Sequence, residues 1–315
     1  MKTYENLTMK MAFNLSAPRS WVASILPAFF GIFFCKLYNL NLSISQSILL
    51  VLACILMQSS VNTLNDYADF IKGNDSIKDN VEITDAVLIY NPINPKDVLI
   101  LGIIYLVLGC LFGLIACFHS GLVPLVIGFI GTIIVILYSC GGPFTISYLP
   151  LGEIISGFIM GILIPLGITS VADGQLHLQV LIFALPFFLG IALIMMSNNG
   201  CDIEKDKKAK RYTFPVIIGR KQTRIIYRML IILWIALIIG LSIIQFKVWG
   251  IIIIIPLILG YKPFKTLLES KLIPENRIKQ MQTIVIANII GNGSYLLIML
   301  INILIRWEYE KRRKI

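Results

Sequence analysis

Repeated runs of about 20 apolar residues constrain this chain of 315 residues more than any other feature. A helix of that length crosses the hydrocarbon core of a bilayer, where backbone N–H and C=O groups must be bonded within the segment. Hydrophobic residues make up 57% of the sequence and charged residues only 14%, and the mean hydropathy is +0.84. The pattern excludes an ordinary soluble domain and predicts an all-α fold, a polytopic membrane bundle.

Read in chain order, the apolar runs give about nine transmembrane helices, which we interpret as one membrane-embedded domain spanning residues 1–315. The eighth is the shortest. Residues 1–17 contain neither an apolar run nor a small-residue cleavage site, so we expect no removable signal peptide. The predicted spans are residues 20–36, 43–70, 98–118, 121–140, 151–172, 178–198, 223–246, 248–261 and 281–306.

The charged residues are concentrated in alternate loops, at 72–97, 202–222 and 262–280. Because basic loops stay in the cytoplasm, we expect these loops on the cytoplasmic side of the cytoplasmic membrane. An odd number of spans then sends the basic tail, 311–314, to the outer side, which the same rule disfavours. Loop orientation also explains the net charge of +10, so we predict no nucleic-acid partner. The sequence makes no prediction of oligomeric state.

The cysteines and histidines of the sequence do not indicate a metal-binding, disulfide or catalytic site. The six cysteines are scattered without a Cys-x-x-Cys pair, a pattern that favours small buried hydrophobes over a disulfide framework or a zinc site. His119 and His177 fall in apparent outer loops, and we assign neither a function. Asn288 and Asn292, four residues apart in the last span, are typical of interhelical hydrogen bonding.

Two acidic clusters close apolar runs far apart in the chain. In each, an asparagine and two aspartates follow a spacing of i, i+4 and i+7 or i+8, which lines one face of a helix. A carboxylate in a low-dielectric setting costs several kcal/mol unless it is paired, hydrated or bound to a cation. The first cluster holds Asn62, Asn65, Asp66 and Asp69, followed by Lys72 and Asp75; the second holds Asn198, Asp202 and Asp206, followed by Lys210 and Arg211.

Carboxylates without thiol or imidazole ligands favour hard cations, and Mg²⁺ is usually held by one or two carboxylates together with waters and substrate phosphates. Two facing acidic stripes therefore predict a magnesium site that binds a diphosphate, with nearby lysine and arginine taking the remaining phosphate charge. An apolar bundle beneath would suit a lipid tail. A single aspartate at a helix end is more commonly a surface charge or a partner of the helix dipole, and the basic run 205–211 also fits an orientation signal.

These residues resemble the UbiA superfamily of intramembrane aromatic prenyltransferases. The stretch 65–69 is similar to its Asn-Asp-x-x-Asp motif and 202–206 to its Asp-x-x-x-Asp motif. The stretches 17–20 leading into Pro27, 138–143 with 151–153, and 211–213 with 219–220 match further, so the resemblance runs from about Ala17 to Arg220. The variant at 65–75 is similar to the branch that prenylates 1,4-dihydroxy-2-naphthoate in menaquinone synthesis.

The resemblance implies about nine helices around a central cavity, with a cytoplasmic cap formed by the loops after spans two and six. It implies Mg²⁺ as cofactor, and a prenyl diphosphate and an aromatic acceptor as substrates within the lipid bilayer. An allylic cation would form and be attacked by an aromatic carbon, with loss of the ring carboxylate as carbon dioxide in the naphthoate branch. The implied metal ligands and catalytic residues are Asp66, Asp69, Asp202 and Asp206, and the implied substrate-binding residues are Asn62, Asn65, Lys72, Asp75, Tyr138, Asn198, Arg19, Lys210 and Arg211.

The chain departs from the naphthoate branch at several positions. Gly200 and Cys201 stand where an aromatic residue and an arginine commonly precede the second motif, and Phe214 and Pro215 replace a common Leu-Ala pair. The loop 76–94 lacks the usual basic residues around its middle. These changes leave the metal chemistry intact and leave open a prenyltransferase with another aromatic or non-quinone acceptor.

Two other function classes fit parts of the pattern. A cation-coupled transporter also uses buried acids, but it predicts acids near mid-membrane and broken helices in repeated halves. A membrane phosphotransferase for lipid head groups also uses aspartates and Mg²⁺, but the chain has no dense Asp-x-x-Asp-Gly run with a nearby Ala-Arg.

Overall fold

The structure, a computed structural model, describes residues 4–73, 86–140, 142 and 145–313, which fold almost entirely as helix. Six segments are long and apolar enough to cross a membrane, and two shorter apolar helices accompany them. The prediction of an all-α polytopic membrane bundle is confirmed. We number the crossing helices α1 (Pro18–Leu37), α2 (Ile44–Lys72), α3 (Pro95–Cys117), α4 (Leu122–Cys140), α5 (Gly152–Val171), α6 (Leu185–Cys201), α7 (Phe214–Phe246), α8 (Lys247–Ile253, Ile254–Leu259 and Tyr261–Leu268) and α9 (Arg277–Arg313).

The chain reverses direction between α7 and α8. The apolar segment Phe214–Leu259 has 46 residues, and a straight helix of that length would measure about 69 Å, more than twice the thickness of a bilayer core. Lys247 interrupts it with φ 53° and ψ −127°, and a Cβ on Gly250 would overlap the carbonyl of Ser242. This close approach requires a turn, so the described residues cross the bundle nine times. The eighth crossing continues past the predicted 248–261 to Leu268.

The connections opposite the acidic clusters meet at one end of the bundle. Arg306 of α9 donates a hydrogen bond of 2.8 Å to the carbonyl of Leu37 at the end of α1. A Cβ on Gly174, which has a φ of 77°, would lie 2.8 Å from the carbonyl of Ser120. The end of α9 therefore lies at the end remote from the acidic clusters, as the predicted odd number of spans requires.

The core of the bundle lies where α6, α7 and α9 meet. Asn288 donates to the carbonyl of Gly190 at 3.1 Å, Asn292 donates to the Asn288 side chain at 3.0 Å, and the Trp234 indole donates to Asn292 at 3.1 Å. All three side chains are buried. The interpretation of the two asparagines as interhelical hydrogen-bonding residues is confirmed.

Glycines bring α5 and α6 into close contact. A Cβ on Gly157 would lie 2.7 Å from the carbonyl of Phe188, and one on Gly161 would overlap the Phe188 backbone. The helix widens to a π-helical turn at Ile159–Leu163, next to this contact. The two helices therefore pack closely enough for side chains on one to reach the other.

Short helices cover the acidic end of the bundle. Met9–Leu15 precedes α1, Val87–Tyr90 precedes α3, and Ile203–Lys208 follows α6. Leu15 and Val87 belong to a small apolar cluster that joins the first two of these segments, and Glu5 N–H donates to the carbonyl of Pro92 at 2.9 Å. The N-terminal segment thus contributes to this cap, in addition to the segments after α2 and α6. The remaining short helices are the 3₁₀ turn Ile146–Tyr148, the helix Gln179–Phe183 and the 3₁₀ turn Pro274–Asn276.

Candidate active site

The first acidic cluster lies in the last three turns of α2. Asp66 and Asp69 are both buried. The backbone N–H of Val87 donates to Asp66 at 3.0 Å, and the Asn65 amide donates to Asp69 at 3.0 Å. The segment before α3 and a neighbouring turn of α2 therefore hold the two carboxylates in fixed orientations.

Asn62 links the first cluster to the start of α1. Its amide donates to the Ser20 hydroxyl at 2.7 Å and to the carbonyl of Ser16 at 2.9 Å, while its carbonyl accepts a bond of 3.3 Å from Gln58. Asn62 and the exposed Arg19 both line the cavity described below. The side chain of Asn62 is therefore committed to holding α1 and α2 together at the site.

The second cluster lies at a break between two helices. Asp202, with φ −99° and ψ 16°, is the C-cap of α6, and the helix Ile203–Lys208 carries Asp206. The prediction of one uninterrupted helical stripe is therefore wrong at Asp202. The hydrogen bond from Asp206 N–H to the Asp202 carbonyl, 2.8 Å, still keeps the two buried carboxylates near one another.

Arg211 lies between the two clusters. Its guanidinium is 3.5 Å from an Asp69 oxygen and 3.9 Å from an Asp206 oxygen, and its side chain is only 13% exposed. Among the described residues its buried Nε has no hydrogen-bond partner. One arginine thus brings carboxylates from both motifs to the same place.

Burial and charge alter the proton affinities of this group. Burial raises the pKa of Asp206 to about 6, although the charge of Arg211 opposes the rise and a hydrogen bond of 3.2 Å from Thr213 also opposes it. Burial lowers the pKa of the Arg211 guanidinium, but the charges of Asp69 and Asp206 outweigh burial and leave it above the ordinary value. Arg211 therefore stays a cation, while the raised pKa of Asp206 lets this carboxylate take up a proton near pH 6.

A tyrosine in the loop after α4 organises two cations. The Lys72 ammonium lies 4.5 Å from the centre of the Tyr148 ring, and the Arg211 guanidinium lies 5.0 Å from it. The Tyr148 carbonyl accepts a bond of 3.0 Å from Tyr212 N–H. Cations are attracted to the ring face at such distances. The Tyr148 ring therefore holds the end of α2 and the loop after α6 at the same place.

A second arginine, Arg277 at the start of α9, contacts the second cluster directly. Its Nε donates to Asp202 at 2.9 Å and its Nη2 donates to Asn198 at 2.8 Å. Its side chain is 11% exposed. Thus an acidic residue and an amide of the second motif share one guanidinium from a distant helix.

Below these charges, α4, α5 and α6 carry further polar groups. The Tyr138 hydroxyl approaches the Met195 sulfur at 3.8 Å, and both residues line the cavity. Asn199 donates at 2.8 Å to the buried Glu153, which the contact between α5 and α6 brings within reach. The other oxygen of Glu153 has no hydrogen-bond partner among the described residues.

The charged groups surround the mouth of a cavity of about 1200 Å³ that extends into the bundle. Its deeper part is apolar and is lined by α2, α3, α4 and α5, including Leu50, Met57, Leu114 and Ile127. A long apolar molecule with an anionic head would place the head among the charges and its tail between these helices.

The carboxylates of the two clusters suit a magnesium ion that takes its remaining ligands from a substrate and from water. Across the described ranges, no three Asp, Glu, His or Cys side chains are grouped closely enough to hold a metal ion unaided. Mg²⁺ is commonly held by one or two carboxylates plus waters and substrate phosphates. Asp66 with Asp69 and Asp202 with Asp206 therefore fit Mg²⁺ as partial ligand sets.

The predicted residues divide into three groups. Those that line the cavity are Arg19, Asn62, Asn65, Asp66, Asp69, Tyr138, Asn198, Asp202, Asp206 and Arg211. Lys72 and Lys210 are exposed outside the cavity lining, and only Lys72 is tied to the site, through Tyr148. Asp75 lies outside the described residues.

Sequence reasoning missed three contributors to the site: Arg277, Tyr148 and Glu153. Tyr148 and Glu153 lie in or beside stretches that the family resemblance had already singled out, but neither is near the acidic motifs in sequence. Arg277 begins a span, where a basic residue was interpreted only as a topology signal. A charged residue just before an apolar run was the one available clue.

Gly200 and Cys201 point away from the cavity. A Cβ on Gly200 would lie 3.0 Å from the Leu272 side chain, and Cys201 is fully buried in the main apolar core. Neither residue is part of the cavity lining that the described residues form. Their departure from the naphthoate-branch pattern therefore changes the packing behind the second motif.

Comparisons with known proteins agree with this geometry. Residues 24–271 match the model of the UbiA prenyltransferase family. The chain is 29% identical over 212 residues to the 1,4-dihydroxy-2-naphthoate octaprenyltransferase of Bacillus subtilis, covering 67% of each chain. It is 30% identical over 233 residues to UbiA prenyltransferase domain-containing protein 1 of Danio rerio, covering 72% of this chain and 67% of the relative.

Among solved structures, a UbiA homolog from Archaeoglobus fulgidus bound to DMAPP and Mg²⁺ aligns with a TM-score of 0.61. The alignment covers 90% of this chain and 98% of the homolog at 19% identity. At that identity the match shows a shared fold.

Proposed function

Because this chain belongs to the UbiA prenyltransferase family and is therefore a membrane prenyltransferase, we propose that it transfers a polyprenyl group from a prenyl diphosphate to an aromatic acceptor with the aid of Mg²⁺. The acceptor that we propose is 1,4-dihydroxy-2-naphthoate, which would place the reaction in menaquinone biosynthesis. The observation that carries the proposal is the pairing of two carboxylate couples with Arg211 at the mouth of an apolar cavity.

The charged groups at the mouth have separate tasks in this proposal. Asp66, Asp69, Asp202 and Asp206 would hold Mg²⁺, which would supply positive charge to the diphosphate and so make it a better leaving group. Arg211 donates from its buried Nε to a phosphate oxygen, and Lys72 contributes positive charge from the rim. Donors fixed before the bond to carbon breaks stabilise the charge that develops on the leaving oxygen.

The apolar part of the cavity binds the prenyl tail and keeps water from the reacting carbon. Tyr138 lines the cavity below the carboxylates, where it faces the first carbons of the tail. Departure of the diphosphate leaves an allylic cation, whose positive charge the tyrosine ring stabilises. The electron-rich carbon of the acceptor then attacks, and in naphthoate the new bond replaces the carboxylate, which leaves as carbon dioxide.

The choice of acceptor rests on the similarity to the 1,4-dihydroxy-2-naphthoate octaprenyltransferase of Bacillus subtilis. Gly200 and Cys201, at which this chain departs from the pattern of that branch, face away from the cavity, so neither would contact an acceptor bound there. UbiA prenyltransferase domain-containing protein 1 matches at similar identity and its name specifies no acceptor, so the alternative remains a prenyltransferase for another aromatic or non-quinone acceptor. The acids lie at the ends of α2 and α6, which does not favour a transporter with acids at mid-membrane.

For location, the protein is an integral membrane protein. We propose the cytoplasmic membrane, with the active site open to the cytoplasm, because the basic loops lie at the same end of the bundle as the acidic clusters.

The decisive experiment measures diphosphate release by purified protein supplied with a polyprenyl diphosphate and 1,4-dihydroxy-2-naphthoate. We expect release to require Mg²⁺ and to fall by roughly a hundredfold in Asp66→Asn, since the lost carboxylate fixes metal and substrate. Asp173→Asn, an exposed aspartate at the opposite end of the bundle, is the matched control and should retain activity. The proposal would be refuted if neither a chelator nor Asp66→Asn reduced the release of diphosphate. Mass spectrometry of the product then identifies the acceptor.

A further inference from the structure

Arg277 lies in the site but outside the part of the chain that the family comparison covers. The match ends at residue 271, and Arg277 is the first residue of α9. Its guanidinium lines the cavity and is bonded to both Asp202 and Asn198. The second motif therefore includes a cation that its own sequence does not supply.

The surrounding structure holds this arginine firmly in place. Gln280, one turn further along α9, donates to the Tyr227 hydroxyl at 3.0 Å and accepts a bond of 2.7 Å from Ser270. Arg220 donates to the Leu272 carbonyl at 2.7 Å. These bonds dock the start of α9 and the connection before it onto α7.

Gly200 allows this connection to approach closely. The Leu272 side chain is fully buried against Gly200, where a larger residue would push it away. The position at which the sequence leaves the naphthoate-branch pattern is thus the position that admits the segment carrying Arg277. The approach of this segment and the entry of a guanidinium into the site are parts of one packing arrangement.

The charges explain what the guanidinium does when substrate arrives. Without substrate, Arg277 neutralises Asp202, a carboxylate that would be costly to bury alone. If Asp202 bound a metal ion instead, its hydrogen bond to Arg277 would be released. The guanidinium lies 2.9 Å from that carboxylate and would then reach an anion bound to the metal. We propose that Arg277 is a donor-binding residue that exchanges Asp202 for an oxygen of the substrate diphosphate. This role rests on the proposed function.

The diphosphate, and not the carboxylate of an aromatic acceptor, is the expected partner. Asp202 lies in the cluster that Arg211 joins to the first motif through Asp206 and Asp69, so Arg277 and Arg211 contact neighbouring carboxylates of one motif and would share an anion bound to a metal there. An acceptor carboxylate at Arg277 would have to lie beside Asp202 without a metal between them, and like charges at that separation repel.

The test uses the full chain in detergent, with inorganic diphosphate as the probe and calorimetry as the readout. In the presence of Mg²⁺, we expect Arg277→Gln to weaken diphosphate binding by roughly tenfold to a hundredfold, the worth of a hydrogen bond to a charged group. Arg277→Lys keeps the charge but loses the fork and should weaken binding less. Lys279→Gln removes an exposed cation two residues away on the same helix and should bind as the wild type does.

A merely structural role predicts a different result. If Arg277 only neutralises Asp202, then Arg277→Gln binds Mg²⁺ alone more tightly and binds diphosphate unchanged, which would overturn the proposal. A rise confined to the KM of the acceptor would also overturn it, in favour of a carboxylate contact. If the wild type itself fails to bind diphosphate with Mg²⁺, the proposed function fails as well. Should Arg277→Gln aggregate on size-exclusion chromatography, Arg277→Lys decides, with severalfold weaker binding supporting the role and unchanged binding refuting it.

Discussion

Arg211 is predicted to stabilise the metal-free protein and to become dispensable for stability once Mg²⁺ binds. The perturbation is Arg211→Gln, which keeps a polar side chain and removes the charge. The guanidinium lies 3.5 Å from Asp69 and 3.9 Å from Asp206. At an effective dielectric constant of about 20, a pair of charges at such a distance is worth roughly 4 kcal/mol, against which the desolvation of the arginine must be set.

Removing one partner of a buried pair leaves the other uncompensated and typically costs about 3–5 kcal/mol. Here two carboxylates lose their shared cation, and the charge of Arg211 no longer opposes the rise in the pKa of Asp206. Mg²⁺ supplies positive charge to the same carboxylates. A ligand that binds only the folded state at a hundred times its Kd adds about 2.7 kcal/mol, which is comparable to the loss.

The assay is thermal unfolding of the detergent-solubilised protein followed by tryptophan fluorescence, in EDTA and in excess Mg²⁺. We expect the unfolding temperature of Arg211→Gln to fall well below that of the wild type in EDTA and to recover most of the difference in Mg²⁺. Lys208→Gln, which removes an exposed charge from the same loop, should behave as the wild type does. Equal unfolding temperatures in EDTA, or a Mg²⁺ response no larger than that of the wild type, would refute the reasoning.

Three further outcomes are expected. In steady-state kinetics, Tyr148→Leu should raise the KM for the prenyl diphosphate severalfold, whereas Tyr148→Phe should not, because it keeps the ring that contacts Arg211. Equal effects of the two variants would contradict a cation–ring contact. The pKa of Asp206 is about 6 without metal, so below that pH Mg²⁺ must displace a proton from this carboxylate. The half-saturating Mg²⁺ concentration in calorimetry should therefore rise about tenfold per pH unit below pH 6. A half-saturating concentration that does not change with pH would contradict this prediction. Gly190→Ala should destabilise the bundle by about 1–3 kcal/mol in thermal unfolding, because the new methyl group displaces the buried Asn288 side chain; an unchanged unfolding temperature would show that the helices separate freely there.

The fold was predictable because its signal is local. An apolar run long enough to cross a bilayer needs no partner to be recognised, and the spans found by reading the sequence correspond to the helices of the structure within a few residues at most ends. The proximity of Asn65, Asp66 and Asp69 could also be predicted from the sequence, because one turn of a single helix brings these side chains together. The error at Asp202 has a local cause too, because the spacing of a stripe does not reveal whether the helix ends within it.

The rest of the site depends on contacts between distant segments. Arg277 reaches Asp202 across 75 residues, and that contact requires both the reversal at Lys247 and the close packing that Gly200 permits. Neither feature marks the arginine in the sequence, where it looks like any basic residue before a span. Similarly, Tyr148 acquires its role only because its ring lies between chain segments that end α2 and follow α6.

The arrangement of charges implies that donor and metal bind together. No described group of three acidic, histidine or cysteine side chains forms a larger ligand set for a metal ion, so phosphate oxygens would add ligands to a magnesium ion held by two carboxylates and waters and would strengthen its binding. The arginines, conversely, are occupied by Asp69, Asp206 and Asp202 until a cation takes those carboxylates. Each ligand thus frees or completes the binding site of the other. By linkage, Mg²⁺ and diphosphate must raise each other's affinity by the same factor, and an empty site keeps its carboxylates neutralised without either of them.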